Sequence, residues 1–119
     1  MKFKKYLQDW KDEKNLQVGI FGETSIKSED SHFAHKEAIM GDFTEIEQFE
    51  NYPYPDPQKD FDWDYFEEQV NNLHKKDLAV TGGLAITIFE IAWYLRGMEQ
   101  TLMDMKMNPE LLQYHLDKI

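Results

Sequence analysis

Phe3, Tyr6, Leu7 and Trp10 fall at i, i+3, i+4 and i+7, which predicts one stripe of an amphipathic helix within the first fifteen residues. Leu16-Gln17-Val18-Gly19-Ile20-Phe21 predicts a short strand. A polar loop follows from Gly22 to Ser31, and a second extended piece over 32–40 pairs with the strand as an irregular hairpin. Thr44-Glu45-Ile46-Glu47 has the form of a capping box, with Thr44 bonding the backbone N–H of Glu47 and that carboxylate reaching back. The helix it opens, with Ile46 and Phe49 on one face, stops before Asn51-Tyr52-Pro53-Tyr54-Pro55-Asp56-Pro57. Three alternate prolines fix φ, remove donors and hold their predecessors extended, so this is a stiff surface connector.

Asp62 is the expected cap of the next helix, with Phe61 and Phe66 as a hydrophobic staple and Phe66, Val70 and Leu73 as its buried face. Lys75 and Lys76 suit its C-terminal dipole. Leu78 to Thr81 are mostly apolar without alternation, as in a strand covered on both faces of a parallel sheet. After Gly82-Gly83, Thr87-Ile88-Phe89-Glu90 offers a second capping box and opens a helix carrying Ile88, Ile91, Ala92 and Leu95, which Gly97 ends or kinks. Met98 to Met107 forms another short helix. Asn108-Pro109-Glu110 then restarts the chain with a cap, a proline at the first helical position and an acid, and Leu111, Leu112, His115, Leu116 and Ile119 follow on a helical period. Helix, buried strand, glycine pair and helix in succession predict an α/β fold. A buried parallel strand needs parallel neighbours, and the chain ends at Ile119 with no cap or polar tail. The expectation is a helix-rich fragment of a larger α/β protein; the alternative is a small α+β domain complete in itself.

Composition narrows the function. With 119 residues, 41% of them apolar and 14% aromatic, the chain has the makings of one modest core. Its net charge of −10 argues against nucleic-acid binding, because phosphate contacts need a clustered basic surface. Arg96 is the single arginine, which also speaks against a phosphate clamp. With no cysteine, a disulfide framework and a thiolate zinc site are both excluded. No apolar run reads as a signal peptide or a membrane span, so a cytoplasmic protein without membrane attachment is expected.

Candidate chemistry is sparse. His32 and His35 form H-x-x-H, but in an extended segment those positions point to opposite faces, which favours a solvated loop over a metal site. His115 reads as a satisfied core histidine, and His74 as a helix C-terminal residue. Gly82 and Gly83 lack the pattern of a phosphate loop; at the end of a barrel strand they would let a ligand approach the backbone. Thr87, Phe89 and Glu90 would then lie near the pocket mouth. Glu90, the only carboxylate between Asp77 and Glu99, is the weak catalytic candidate, with a carboxyl raised by half-burial; the alternative is a helix cap. Trp93, Tyr94 and the methionines from Met98 to Met107 read as packing.

Phe89-Glu90-Ile91-Ala92-Trp93-Tyr94-Leu95-Arg96-Gly97-Met98-Glu99, Leu102-Met103-Asp104-Met105 and Asn108-Pro109-Glu110-Leu111 resemble the uroporphyrinogen decarboxylase-like superfamily. Tyr52-Pro53-Tyr54-Pro55-Asp56-Pro57 with Phe61-Asp62 is similar to the linker of its divergent members. The resemblance covers residues 38–119, with 1–37 a loosely matched N-terminal part of one partial domain. It implies a partial (β/α)8 TIM barrel, of which this chain would be an early-middle slice, with a substrate pocket at the strand ends near Gly82, Gly83, Thr87 and Phe89. Thr87 matches the family's strand-end segment, and Ile91 stands where members carry a pocket tyrosine. The implied parent is a cofactor-independent decarboxylase-type lyase of porphyrin metabolism. The alternative within the family is a methyltransferase using zinc and a corrinoid partner, whose histidine and cysteine ligands would lie beyond Ile119. The isolated chain is expected to be inactive and to self-associate, as a homodimer or more loosely, because its apolar faces lack the rest of the barrel. Outside that family, the alternative is a non-enzymatic acidic interaction module.

Overall fold

In the computed structural model, which describes residues 2–7, 15–27, 34–83 and 86–119, the strands β1 (Leu16–Val18), β2 (Thr24–Lys27) and β3 (Ala34–Glu37) form an antiparallel sheet in the order β1-β2-β3. Leu16 stands opposite Ile26 and Val18 opposite Thr24, while Thr24 pairs onward with Glu37. The expected hairpin has an extra strand in its middle. A tight turn returns the chain after Val18, with Gly22 N–H bonded to Gly19 O at 3.0 Å and Gly22 at φ 85°. The short polar run Thr24-Ser25-Ile26-Lys27 thereby becomes the central strand. Thr24 is fully buried, and its hydroxyl donates to Glu37 O at 2.8 Å.

The helices follow as α1 (Ile46–Glu50), α2 (Pro57–Asp60), α3 (Trp63–His74), α4 (Ile88–Arg96), α5 (Met98–Met107) and α6 (Pro109–Asp117). The α1 cap sits one residue later than expected: Gln48 Oε1 accepts from the backbone N–H groups of Glu45 and Thr44 at 2.9 and 2.7 Å. Residues 2–7 form turns in place of the predicted helix, although Phe3 and Leu7 are buried as their spacing required; Trp10 lies outside the described residues.

The chain divides into two compact units. The first joins Met1–Tyr54 to Ile86–Ile119; the second is Pro55–Ala85. Phe3, Leu7, Ile39, Met40, Phe49, Tyr52, Ile91, Leu95 and Leu111 make the core of the first. Tyr52 fills the space under the β1–β2 turn and donates to Phe21 O at 2.6 Å; burial pushes its hydroxyl up from the ordinary tyrosine value. A Cβ at Gly22 would meet the Tyr52 hydroxyl and the Phe3 ring, so glycine is required there twice over, by space and by φ.

The parallel barrel slice is overturned. Every strand pair among the described residues is antiparallel, and residues 78–81 form no strand. Asp77 adopts φ 58° at the end of α3, where the Leu78 N–H bonds back to Leu73 O at 3.1 Å and closes the helix. The chain leaves as an exposed connector, with Leu78 50% accessible. An unalternating apolar run of four residues cannot by itself say whether two covering layers exist, and here they do not. The expected buried face of α3 is likewise outside: Phe66 is 52% exposed and Val70 only half-buried.

Gly97 ends α4 and starts α5 at φ 88°, and a Cβ there would approach the Ala38 Cβ to 3.3 Å. Gly97→Ala is expected to cost about 1–3 kcal/mol, from the left-handed backbone and that contact together. Urea unfolding followed by circular dichroism measures it; an unchanged midpoint would show that the corner relaxes freely.

Candidate functional site

Two adjoining hollows in the first unit form where α1, the α4–α5 corner and the start of α6 converge. The inner one, about 270 Å³, is lined by Gly41, Phe43, Thr44, Arg96, Gln100, Asn108 and Leu111. Arg96 follows Ala92 by one helical turn and so falls on the buried stripe of α4. Its Nε donates to Asp104 Oδ2 at 2.8 Å, and its Nη1 donates to Met40 O and Gly41 O at 2.6 and 3.1 Å. The second Asp104 oxygen accepts from Gln100 Nε2 and Asn108 Nδ2 at 2.9 and 3.3 Å. Arg96 is 2% exposed and Asp104 not at all. Burial pushes the Asp104 carboxyl up, but the hydrogen bonds from Arg96, Gln100 and Asn108 outweigh it together, and the group sits below the ordinary carboxylate value. The guanidinium is thus neutralised and clamped, leaving a structural lock between the chain after β3 and the corner of α4 and α5.

The outer hollow, about 370 Å³, is open. It runs along Thr44, Glu45, Ile46, Met107, Asn108, Pro109, Glu110 and Leu111. Leu111 is buried and floors it, Ile46 and Met107 stand exposed on its walls, and Glu45 and Glu110 lie exposed at its rim. Met107 is 67% accessible.

His115 is fully buried in the core. Its Nε2–H donates to Ala92 O at 3.2 Å, which leaves Nδ1 to accept from the Tyr54 hydroxyl at 2.8 Å. Burial lowers its pKa to about 4 and raises that of Tyr54 above the ordinary value. Both groups are therefore neutral at pH 7, and the satisfied core histidine is what the structure shows.

The sequence-derived candidates are scattered. Thr87 and Glu90 meet as the capping box of α4: Thr87 N–H and its hydroxyl donate to Glu90 Oε2 at 2.8 and 3.0 Å, and Glu90 N–H returns to Thr87 Oγ1 at 3.2 Å. Those bonds, the backbone one first, hold the Glu90 carboxyl below its ordinary value, opposite to the rise that acid–base work would need. Phe89 is exposed on the same turn. Gly82 and Gly83 belong to the second unit and have open space around them. His32 lies outside the described residues, and His35 is described only as a β3 backbone position.

No group of three or more His, Cys, Asp or Glu among the described residues could hold a metal ion. No helix among the described residues is long and apolar enough to cross a membrane. Arg96 and Asp104 were not singled out as a pair from the sequence. The available signal was the lone arginine one helical turn after an alanine of the apolar stripe. Asp104 gave none. No protein-family model, no curated protein and no solved structure matches the chain.

Proposed function

We propose that this protein is an acidic interaction module whose outer hollow receives a basic segment carrying an apolar side chain. The observation that supports it is that one hollow is lined by exposed Ile46 and Met107, buried Leu111 and the exposed acids Glu45 and Glu110, on a chain of net charge −10. An apolar anchor in such a hollow gains by leaving water, while lysine or arginine beside it meets the rim charges and is steered inward by the whole field. Methionine adapts its shape to different anchors because it is unbranched and polarizable. The lyase and methyltransferase expectations placed their chemistry at a barrel mouth, which the described residues do not build.

The test is titration of a fluorescent peptide of alternating lysine and leucine, with polylysine of equal charge as control. The expected result is saturable binding of the mixed peptide, weakened about ten-fold by Glu110→Lys, with polylysine showing only weak binding that salt abolishes. Equal binding of both peptides, or no effect of Glu110→Lys and Met107→Ser, would sink the reading.

A further inference from the structure

The second unit carries a surface that nothing within it covers. On α3, Trp63, Phe66, Val70 and Leu73 follow one another at spacings of three, four and three residues, the repeat of a helix-pairing seam. Trp63 is 56% and Phe66 52% exposed, and Leu73 is exposed as well. The first turn of the helix is fixed by its cap and by Trp63, the first residue of that face. Asp62 Oδ1 accepts from Tyr65 N–H at 2.9 Å, and Trp63 Nε1 donates to Pro57 O at 2.6 Å, which ties the first turn to the α2 segment. Such a stripe in water is an unfavourable arrangement that a partner relieves.

We propose that the occupant is α3 of a second copy of this chain, packed antiparallel about a two-fold axis. The size pattern favours it. Opposed antiparallel about position 68, Trp63 of each copy meets Leu73 of the other, and Phe66 meets Val70, so every layer holds one ring and one smaller aliphatic. A parallel pair would stack tryptophan on tryptophan at one end and leave two small layers at the other, which packs less evenly. Charge points the same way. On the heptad, Asp62 and Gln69 flank one edge of the seam and Glu67 and His74 the other. A parallel pair would set Asp62 against Glu67 twice. The antiparallel pair brings Asp62 of each copy to the Lys75–Lys76 end of the other, two attractive meetings, against a single close approach of Glu67 to its own mate. A two-fold contact of this kind closes on itself, which limits the assembly to a dimer.

The area sets the strength. Twelve residues give a helix about 18 Å long, and two such faces lie at or below the small end of specific interfaces. The dimer is therefore of the weak, concentration-dependent kind. The Glu67 approach makes it tighter at higher salt or when that charge is removed.

Sedimentation velocity on the full chain tests this over a hundred-fold range of concentration. The expected result is a monomer–dimer equilibrium that Val70→Asp shifts at least ten-fold toward monomer and Glu67→Gln shifts toward dimer, while Leu102→Gln on α5 leaves it unchanged. Circular dichroism confirms that helix content is kept in each variant. Direction is read with single cysteines, since the chain has none of its own. With a short thiol crosslinker, Gln69→Cys is expected to give a covalent dimer. Lys76→Cys is not, because its mates lie at opposite ends of the pair. A monomer at every concentration would overturn the proposal, as would a dimer indifferent to Val70→Asp. Efficient crosslinking of Lys76→Cys with none at Gln69→Cys would overturn the antiparallel arrangement.

Discussion

Asp104→Ala is expected to destabilise the protein by about 3–5 kcal/mol, the cost of leaving a buried charge without its partner. Arg96 is held at 2% exposure by the carbonyls of Met40 and Gly41 as well as by Asp104, so it cannot swing out to water when the carboxylate goes. Whole domains of this size are stable by only about 5–15 kcal/mol, so the variant should be close to unfolded at 37 °C. Asp104→Asn, which keeps an acceptor for Arg96, should lose less. The double change Arg96→Met with Asp104→Leu should recover much of the deficit, because removing both charges also removes the cost of drying them. Urea unfolding at pH 7 measures all three. A loss under 1 kcal/mol for Asp104→Ala would mean that water already reaches the pair and that the α4–α5 corner is not closed.

Acidification should produce the second large effect. Burial holds His115 to a pKa of about 4 in the folded protein, against 6.5 for an ordinary histidine. Below pH 6.5 the unfolded chain takes up a proton that the folded one refuses until about pH 4. Stability therefore falls as pH drops through that window, by about 3 kcal/mol in total. Above pH 6.5 the histidine contributes no further change. Asp104, whose carboxyl is lowered, adds a loss of the same sign as pH falls from the ordinary aspartate value toward its lower folded one. Unfolding free energies taken between pH 7 and 4 should show the slope in the parent protein and a shallower one in His115→Gln. Parallel profiles for the two proteins would place the acid sensitivity on surface carboxylates instead.

Much of the helical layout was legible because its signals are local. Asp62 caps α3 and Thr87 caps α4 within three residues of themselves, Gly97 breaks the chain by its own φ, and Asn108-Pro109 restarts it as α6. The candidate surface was not legible. Glu45 and Met107 are separated by about half the chain, and only the packing of α1 against α6 sets them on one hollow. Nor was the sheet order, since nothing in Thr24-Ser25-Ile26-Lys27 marks a central strand until the turn at Gly19–Gly22 brings it back onto β1.

The sequence by itself determined where helices α3 to α6 begin, which stripe of each is apolar, and that His115 belongs inside, because caps, breakers and periodicity act over one or two turns. The tertiary structure alone decided which apolar stripes are covered. Ile91, Ala92 and Leu95 of α4 are buried in the first unit, whereas the apolar stripe of α3 is left exposed by its own unit, and the helical period is the same in both cases. It also decided that an arginine and an aspartate could leave water. Their burial needed the carbonyls of Met40 and Gly41, more than fifty residues upstream, and a polar group goes inside only where every partner it loses from water is replaced.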